Sequence, residues 1–219
     1  MSSRPAAVLI RRGWEGHDVL KVGLTGGLAS GKSAVGRALA DLGCFVIRND
    51  ELGHQALEPD GAAYADVARE FGEGILNPDR TIDRRKLAAL VFHDPARLAR
   101  LNELVHPPVR ARTKQLLEEY AATHPHGIAV VEVAIMIETG SYRDYAKLIV
   151  AVCSVEQQIE RAMARDANTR EEVLDRLSRQ MPLDEKLKYA DYVIDTSGTR
   201  EETLAQVRAV YASLKALAA

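Results

Sequence analysis

The chain has 219 residues, with 29 Lys and Arg against 31 Asp and Glu, a formal net charge of −2. This length buries one sizeable core without disulfides or metal, and the balanced charge argues against a general nucleic-acid binder, whose domains carry a basic excess. Cys44 and Cys153 both sit in apolar stretches, which reads as buried, reduced thiols and a cytoplasmic compartment, while no stretch approaches the roughly 18 continuous apolar residues of a membrane span.

Residues 1–18 read as a leader, either an added edge segment or a disordered arm; the apolar run Ala6 to Ile10 is too short for a signal peptide. Val19 to Thr25 is a compact β-prone run broken by Gly26-Gly27. Lys32 to Leu42 places Val35, Leu39 and Leu42 at helical spacing, and Gly43 ends it. Cys44 to Ile47 is a second short strand, which completes a strand–turn–helix–strand unit and points to a parallel α/β sheet. The middle of the chain reads as helical, over Glu51 to Leu57, Ala62 to Phe71 and Arg84 to Phe92. Asp94-Pro95 starts a further helix that Pro107-Pro108 is expected to end or kink, with helix resuming to about Ala122. Ile128 to Val133 and Lys147 to Cys153 are almost continuously apolar, as strands covered on both faces are. Ser154 and Thr169 cap two helices, to about Arg165 and Arg179. Asp191 to Asp195 is a last strand, and Thr199 to Leu217 a closing helix. The fold expected is α/β, a central parallel sheet flanked by helices.

Gly26, Gly27, Leu28, Ala29, Ser30, Gly31, Lys32 and Ser33 satisfy G-x-x-x-x-G-K-[ST] between a buried strand and an amphipathic helix, the context that supports a phosphate-binding loop. Glycines let successive backbone N–H groups point at a polyphosphate, and the helix starting at Lys32 adds its positive end. Lys32 is expected on the β- and γ-phosphates of ATP and the Ser33 hydroxyl on Mg²⁺. The motif by itself marks a P-loop nucleotide-binding fold, of which the P-loop kinase is one class.

Beyond the loop, further segments recur in order. Val22-Gly23-Leu24-Thr25, Leu42-Gly43, Val46-Ile47 and Asp50 are followed by Phe71-Gly72, Ile75-Leu76, Asp83-Arg84, Leu87, Val91-Phe92 and His106-Pro107. Glu138, Arg161 with Arg165, Gln180 and Ala190-Asp191 complete the series. With the loop, these resemble dephospho-coenzyme A kinase from about Leu20 to Leu214. The resemblance implies transfer of the ATP γ-phosphate to the ribose 3′-hydroxyl of dephospho-coenzyme A, the last step of coenzyme A synthesis. It also implies a core over about 19–50, 127–153 and 190–219, a helical substrate-binding region over about 51–126, and a helical lid over about 154–188. The partners implied are ATP and dephospho-coenzyme A, with no nucleic acid and no membrane, in a monomer or small homo-oligomer.

Asp50, just past the second strand, matches the family's catalytic carboxylate and is suited to deprotonate the acceptor hydroxyl; the other reading is a helix cap. Arg161 and Arg165 share one helix face, and Arg161 matches a nucleotide-binding lid position where a guanidinium would stabilise the moving phosphoryl group. A solvated basic stripe is the alternative, evenly matched for Arg165. Glu132 interrupts an apolar strand, either beside Mg²⁺ or in a buried structural pair. The chain departs from the family at Arg48-Asn49 (commonly Asp-Ala), Ala29 (Gly), Ala134-Ile135-Met136 (Pro-Leu-Leu), Lys186 (Arg) and Asp195 (Asn). These departures leave two rivals: a P-loop kinase acting on a nucleoside, a nucleotide or another small acceptor, and a non-catalytic ATP or coenzyme A sensor.

Overall fold

The apolar runs assemble into a single five-stranded sheet. The computed structural model describes residues 18–92, 94–166 and 169–219, so the leader expected over 1–18 lies, but for Asp18, outside the described residues. The strands are β1 (Leu20–Gly26), β2 (Phe45–Arg48), β3 (Ile128–Glu132), β4 (Lys147–Val152) and β5 (Tyr192–Asp195). The helices are α1 (Lys32–Asp41), α2 (Asn49–Ala56), α3 (Tyr64–Phe71), α4 (Arg84–Phe92), α5 (Pro95–Thr123), α6 (Val155–Asp166), α7 (Arg170–Ser178), α8 (Leu183–Leu187) and α9 (Arg200–Ala218).

Strand order is β2-β3-β1-β4-β5. β1 pairs in parallel with β3 and β4, and β4 in parallel with β5. β1 is therefore central, and the loop that follows it opens at the carboxyl edge of the sheet, where ligands of such folds bind. Leu20, Val22 and Leu24 of β1 alternate onto one face. There they join Ile128, Val130, Ile149 and Ala151 in a cluster with Val35 and Leu39 of α1 and Val207, Val210 and Leu214 of α9. At Gly23, between two of those β1 residues, a Cβ would stand 2.5 Å from Met136 Sδ and 3.0 Å from Leu148 Cδ1. The fully buried Met136 fills the space the glycine leaves, which gives one of the departing residues a packing role.

The chain forms two compact units, one of the described residues up to Ile47 with Tyr120–Ala219, the other Arg48–Glu119. The second has its own apolar cluster, built from Ala56, Ala63, Val67, Ile75, Ile82, Leu87, Val91 and Val109. Asp83 and Asp94 start two of its helices: each carboxylate accepts two backbone N–H groups two and three residues on, as N-caps do.

Half of one expectation fails here. The helix begun at Pro95 does not end at the double proline but runs to Thr123 with Pro107 and Pro108 inside it. The two missing N–H groups cost two rungs, yet Leu101, Leu104 and Val105 before the prolines and Val109 after them all pack on the same apolar cluster. Burial on both sides keeps the segment helical. The short α8 and the 3-10 turns at Glu73–Ile75 and Ser141–Asp144 have no counterpart in the apolar periodicity, being too short to carry one. Among the described residues no helix is long and apolar enough to cross a membrane. Both cysteines are free and buried, and burial pushes the Cys44 thiol up to about 12.

Candidate active site

The phosphate loop is shaped by two left-handed residues. Gly31, with φ 80°, turns the chain into α1, and Ala29 adopts φ 51°. The first is what a glycine is for; the second places an L side chain where Gly is the relaxed choice. Three glycines are also held by close approach. A Cβ on Gly26 would meet Ser30 Oγ and stand 2.5 Å from the Ala151 carbonyl, one on Gly27 would lie 2.8 Å from Gln158 Nε2, and one on Gly31 2.8 Å from Thr196 Oγ1.

Lys32 and Ser33, the first residues of α1, converge on one carboxylate. Ser33 Oγ donates to Glu132 Oε1 at 2.7 Å, and Lys32 Nζ lies 3.2 Å from the same oxygen, with both side chains of the ion pair largely buried. Strand register explains the meeting: Glu132 ends β3 directly beside Leu24 of β1. Gly36, one turn into α1, leaves room for it, since a Cβ there would lie 3.0 Å from Glu132 Oε2. The two sequence readings of Glu132 are thus not exclusive: it is a buried pair, and it sits beside the hydroxyl expected to meet metal. A hydroxyl and a carboxylate are hard oxygen donors that fit Mg²⁺, an ion that completes its shell with water and substrate phosphates. Among the described residues no group of three or more His, Cys, Asp and Glu could hold a metal ion.

Arg161, on α6, donates to Thr196 Oγ1 (3.0 Å) and to the Thr196 carbonyl (2.7 Å). Thr196 Oγ1 also lies 2.9 Å from the Ser30 carbonyl, so a residue absent from the sequence reading ties Arg161 to the phosphate loop. Its signal was only positional, a hydroxyl one residue past β5. Arg165, one turn further along α6, is exposed. Leu28 and Ala29 of the loop pack with Ile159, Ala162, Val173 and Leu177 of α6 and α7, and Leu28 N–H donates to Gln180 Oε1 at 2.9 Å. Arg170 grips Glu156 through two nitrogens at 2.6 and 2.8 Å, joining α7 to α6.

Asp50 lies in the other unit, in the first turn of α2 immediately after β2, and is exposed. Of its two departing neighbours, Arg48 reaches Glu51 at 3.3 Å, and Asn49 Oδ1 accepts from Thr113 Oγ1 at 3.0 Å. Lys186 is almost wholly buried, 2.8 Å from Glu138. Asp195 accepts the Ser197 N–H, and hydrogen bonds from Ser197 hold its carboxyl below the ordinary value.

Comparison with known proteins identifies the family. The dephospho-CoA kinase family model (CoaE) matches residues 20–202. The chain is 37% identical to dephospho-CoA kinase of Syntrophus aciditrophicus over 90% of this chain and 83% of that protein. It is 39% identical to that of Aquifex aeolicus over 89% and 97%. Among solved structures, TT1252 of Thermus thermophilus superposes with a TM-score of 0.76 and 34% identity, covering 89% of this chain and 97% of that one. A match that begins at the first residue of β1 and runs past the Arg161–Thr196 contact into α9 takes in the whole phosphate site, and the chain belongs to the dephospho-CoA kinase family.

Proposed function

We propose that the protein transfers the γ-phosphoryl group of ATP to the ribose 3′-hydroxyl of dephospho-coenzyme A, releasing ADP and coenzyme A. The observation that carries this reading is the convergence of Lys32 and Ser33 on Glu132 at the head of α1, in a chain that matches the family over residues 20–202.

In this reading the loop amides between Gly26 and Ser33, other than that of Leu28, which Gln180 holds, wrap the triphosphate, and Lys32 takes the β- and γ-phosphates. Ser33 and Glu132 would hold Mg²⁺, which would neutralise charge on the β- and γ-phosphates. Asp50 accepts the proton of the acceptor hydroxyl. The new bond forms from that oxygen to the γ-phosphorus as the bond to the β-bridging oxygen breaks, and ADP leaves. Arg161, and Arg165 beside it on α6, answer the charge on the moving phosphoryl group. Residues of about 154–188 close over the site and exclude water as a competing acceptor, while the helices of about 51–126 receive the acceptor. The protein works in the cytoplasm, as a monomer or small homo-oligomer.

The test is an ADP-release assay with Mg²⁺ and ATP across acceptors. Dephospho-coenzyme A should give turnover well above nucleosides and nucleoside monophosphates. Turnover on a nucleotide with none on dephospho-coenzyme A would replace this reading with the other kinase one, and nucleotide binding with no turnover on any acceptor would favour a sensor.

A further inference from the structure

Of the contacts that attach the segment after β4 to the phosphate loop, four surround Leu28 and its neighbours, and two of these fall on a single residue. The Leu28 side chain is packed among Ile159, Ala162 and Val173, and its N–H is taken by Gln180 Oε1 at 2.9 Å. The third is Gln158 of α6, which lies against Gly27, and the fourth the Arg161–Thr196–Ser30 chain. Gln180 itself is held in place from the next residues. Met181 N–H donates to Glu138 Oε1 at 3.3 Å, and Lys186, 1% exposed, lies 2.8 Å from the same oxygen. Glu138 follows β3, so the chain just past Gln180 is tied to the segment that follows that strand.

From this we infer that Gln180 is a positioning residue for ATP, resting on the kinase reading above: its carboxamide oxygen fixes the Leu28 peptide, and with it the amino-terminal half of the phosphate loop. The chemistry demands an acceptor there. The Leu28 N–H is spent on Gln180 rather than offered to phosphate, so this bond fixes the peptide plane from which the following amides project, and Ala29, the next residue, sits at φ 51°, a conformation an alanine leaves readily when not held. Gln180 supplies that hold without adding charge beside a polyphosphate. The Leu28 side chain supplies the apolar half of the same hold, so the root of α6 and α7 and the first half of the loop move as one body.

Three variants and two readouts test this. In Gln180→Met, of similar size but with only a weak acceptor, the Leu28 amide hydrogen should exchange at least tenfold faster. The KM for ATP and the Kd for a non-hydrolysable ATP analogue with Mg²⁺ should each rise about five- to tenfold, the scale of one lost hydrogen bond, with the KM for dephospho-coenzyme A unchanged. Gln180→Ala should match it in both readouts. Gln180→Glu keeps the acceptor oxygen and should restore Leu28 protection. A slow-exchanging Leu28 amide in Gln180→Met, with analogue affinity within twofold of wild type, overturns the inference; so does a Gln180→Glu protein that folds but leaves Leu28 unprotected. The analogue affinity and the exchange rate need no acceptor, so they decide Gln180 even if dephospho-coenzyme A proves not to be the substrate.

Discussion

Replacing Gly31 with alanine puts the geometry of the loop to a quantitative test. Gly31 has φ 80°, and an added Cβ would stand 2.8 Å from Thr196 Oγ1 and 3.0 Å from Thr196 Cβ and Cγ2. The left-handed backbone costs an L residue roughly 1–2 kcal/mol, and overpacking against a side chain that is itself buried costs roughly 1–3 kcal/mol. Thr196 cannot simply rotate away, because its hydroxyl lies within hydrogen-bond distance of Ser30, Val152 and Arg161. The expected loss is therefore about 2–5 kcal/mol, a fall in Tm on the order of 4–20 °C for a chain of this size. Urea denaturation followed by circular dichroism measures it, with nucleotide affinity measured alongside. Ala29→Gly is the internal control: it removes a left-handed alanine at φ 51°, and glycine's entropic cost of about 0.5–1 kcal/mol offsets part of the relief, so it should not destabilise. A Gly31→Ala protein within about 0.5 kcal/mol of wild type, the range of neutral surface changes, would refute the argument that Thr196 and the left-handed turn dictate glycine there.

Asp50→Asn should leave affinity for Mg²⁺ and ATP near wild type while cutting kcat by about 10²- to 10⁴-fold, the usual contribution of a general base; unchanged turnover removes Asp50 from that role. Glu132→Gln takes away the charge opposite Lys32 and the charged partner of Ser33. It should cost about 1–3 kcal/mol of stability and raise the Mg²⁺ concentration needed for half-maximal turnover, and titrating activity against Mg²⁺ would expose a purely structural role as an unchanged midpoint. For pH, the Cys44 thiol is pushed from its ordinary 9.0 to about 12 by burial, so above pH 9 the unfolded chain loses a proton that the folded one keeps. Folded protein then binds more protons than unfolded, and this contribution to stability falls as pH rises from about 9 to 12. Denaturation midpoints across that range should drop more steeply in wild type than in Cys44→Ala.

Much of the phosphate site is written locally. Gly26 to Ser33 must turn after a strand and start a helix whatever surrounds them, since glycine spacing and helix onset are short-range properties, and α1, α4 and the strands follow from apolar period. Distant partners are another matter. Glu132 could be read only as a costly charge in an apolar strand, because its neighbour Leu24 is assigned by strand register, more than a hundred positions earlier in the chain. Thr196 gave no distinct signal, and Gln180 counted only as one residue of the family series with no partner assigned, until the fold brings them to Ser30 and Leu28. The end expected at the double proline failed for the same reason: the local cost was visible, the burial on both sides of it was not.

By itself, then, the order of residues determined the loop, the helix it opens, the parallel class of the sheet and the family. Only the tertiary structure decided which carboxylate Lys32 and Ser33 share, how Arg161 reaches the loop, and that one helix passes through Pro107 and Pro108. Turns and periods depend on neighbours a few positions away, whereas pairing and burial depend on residues the folded sheet alone makes adjacent.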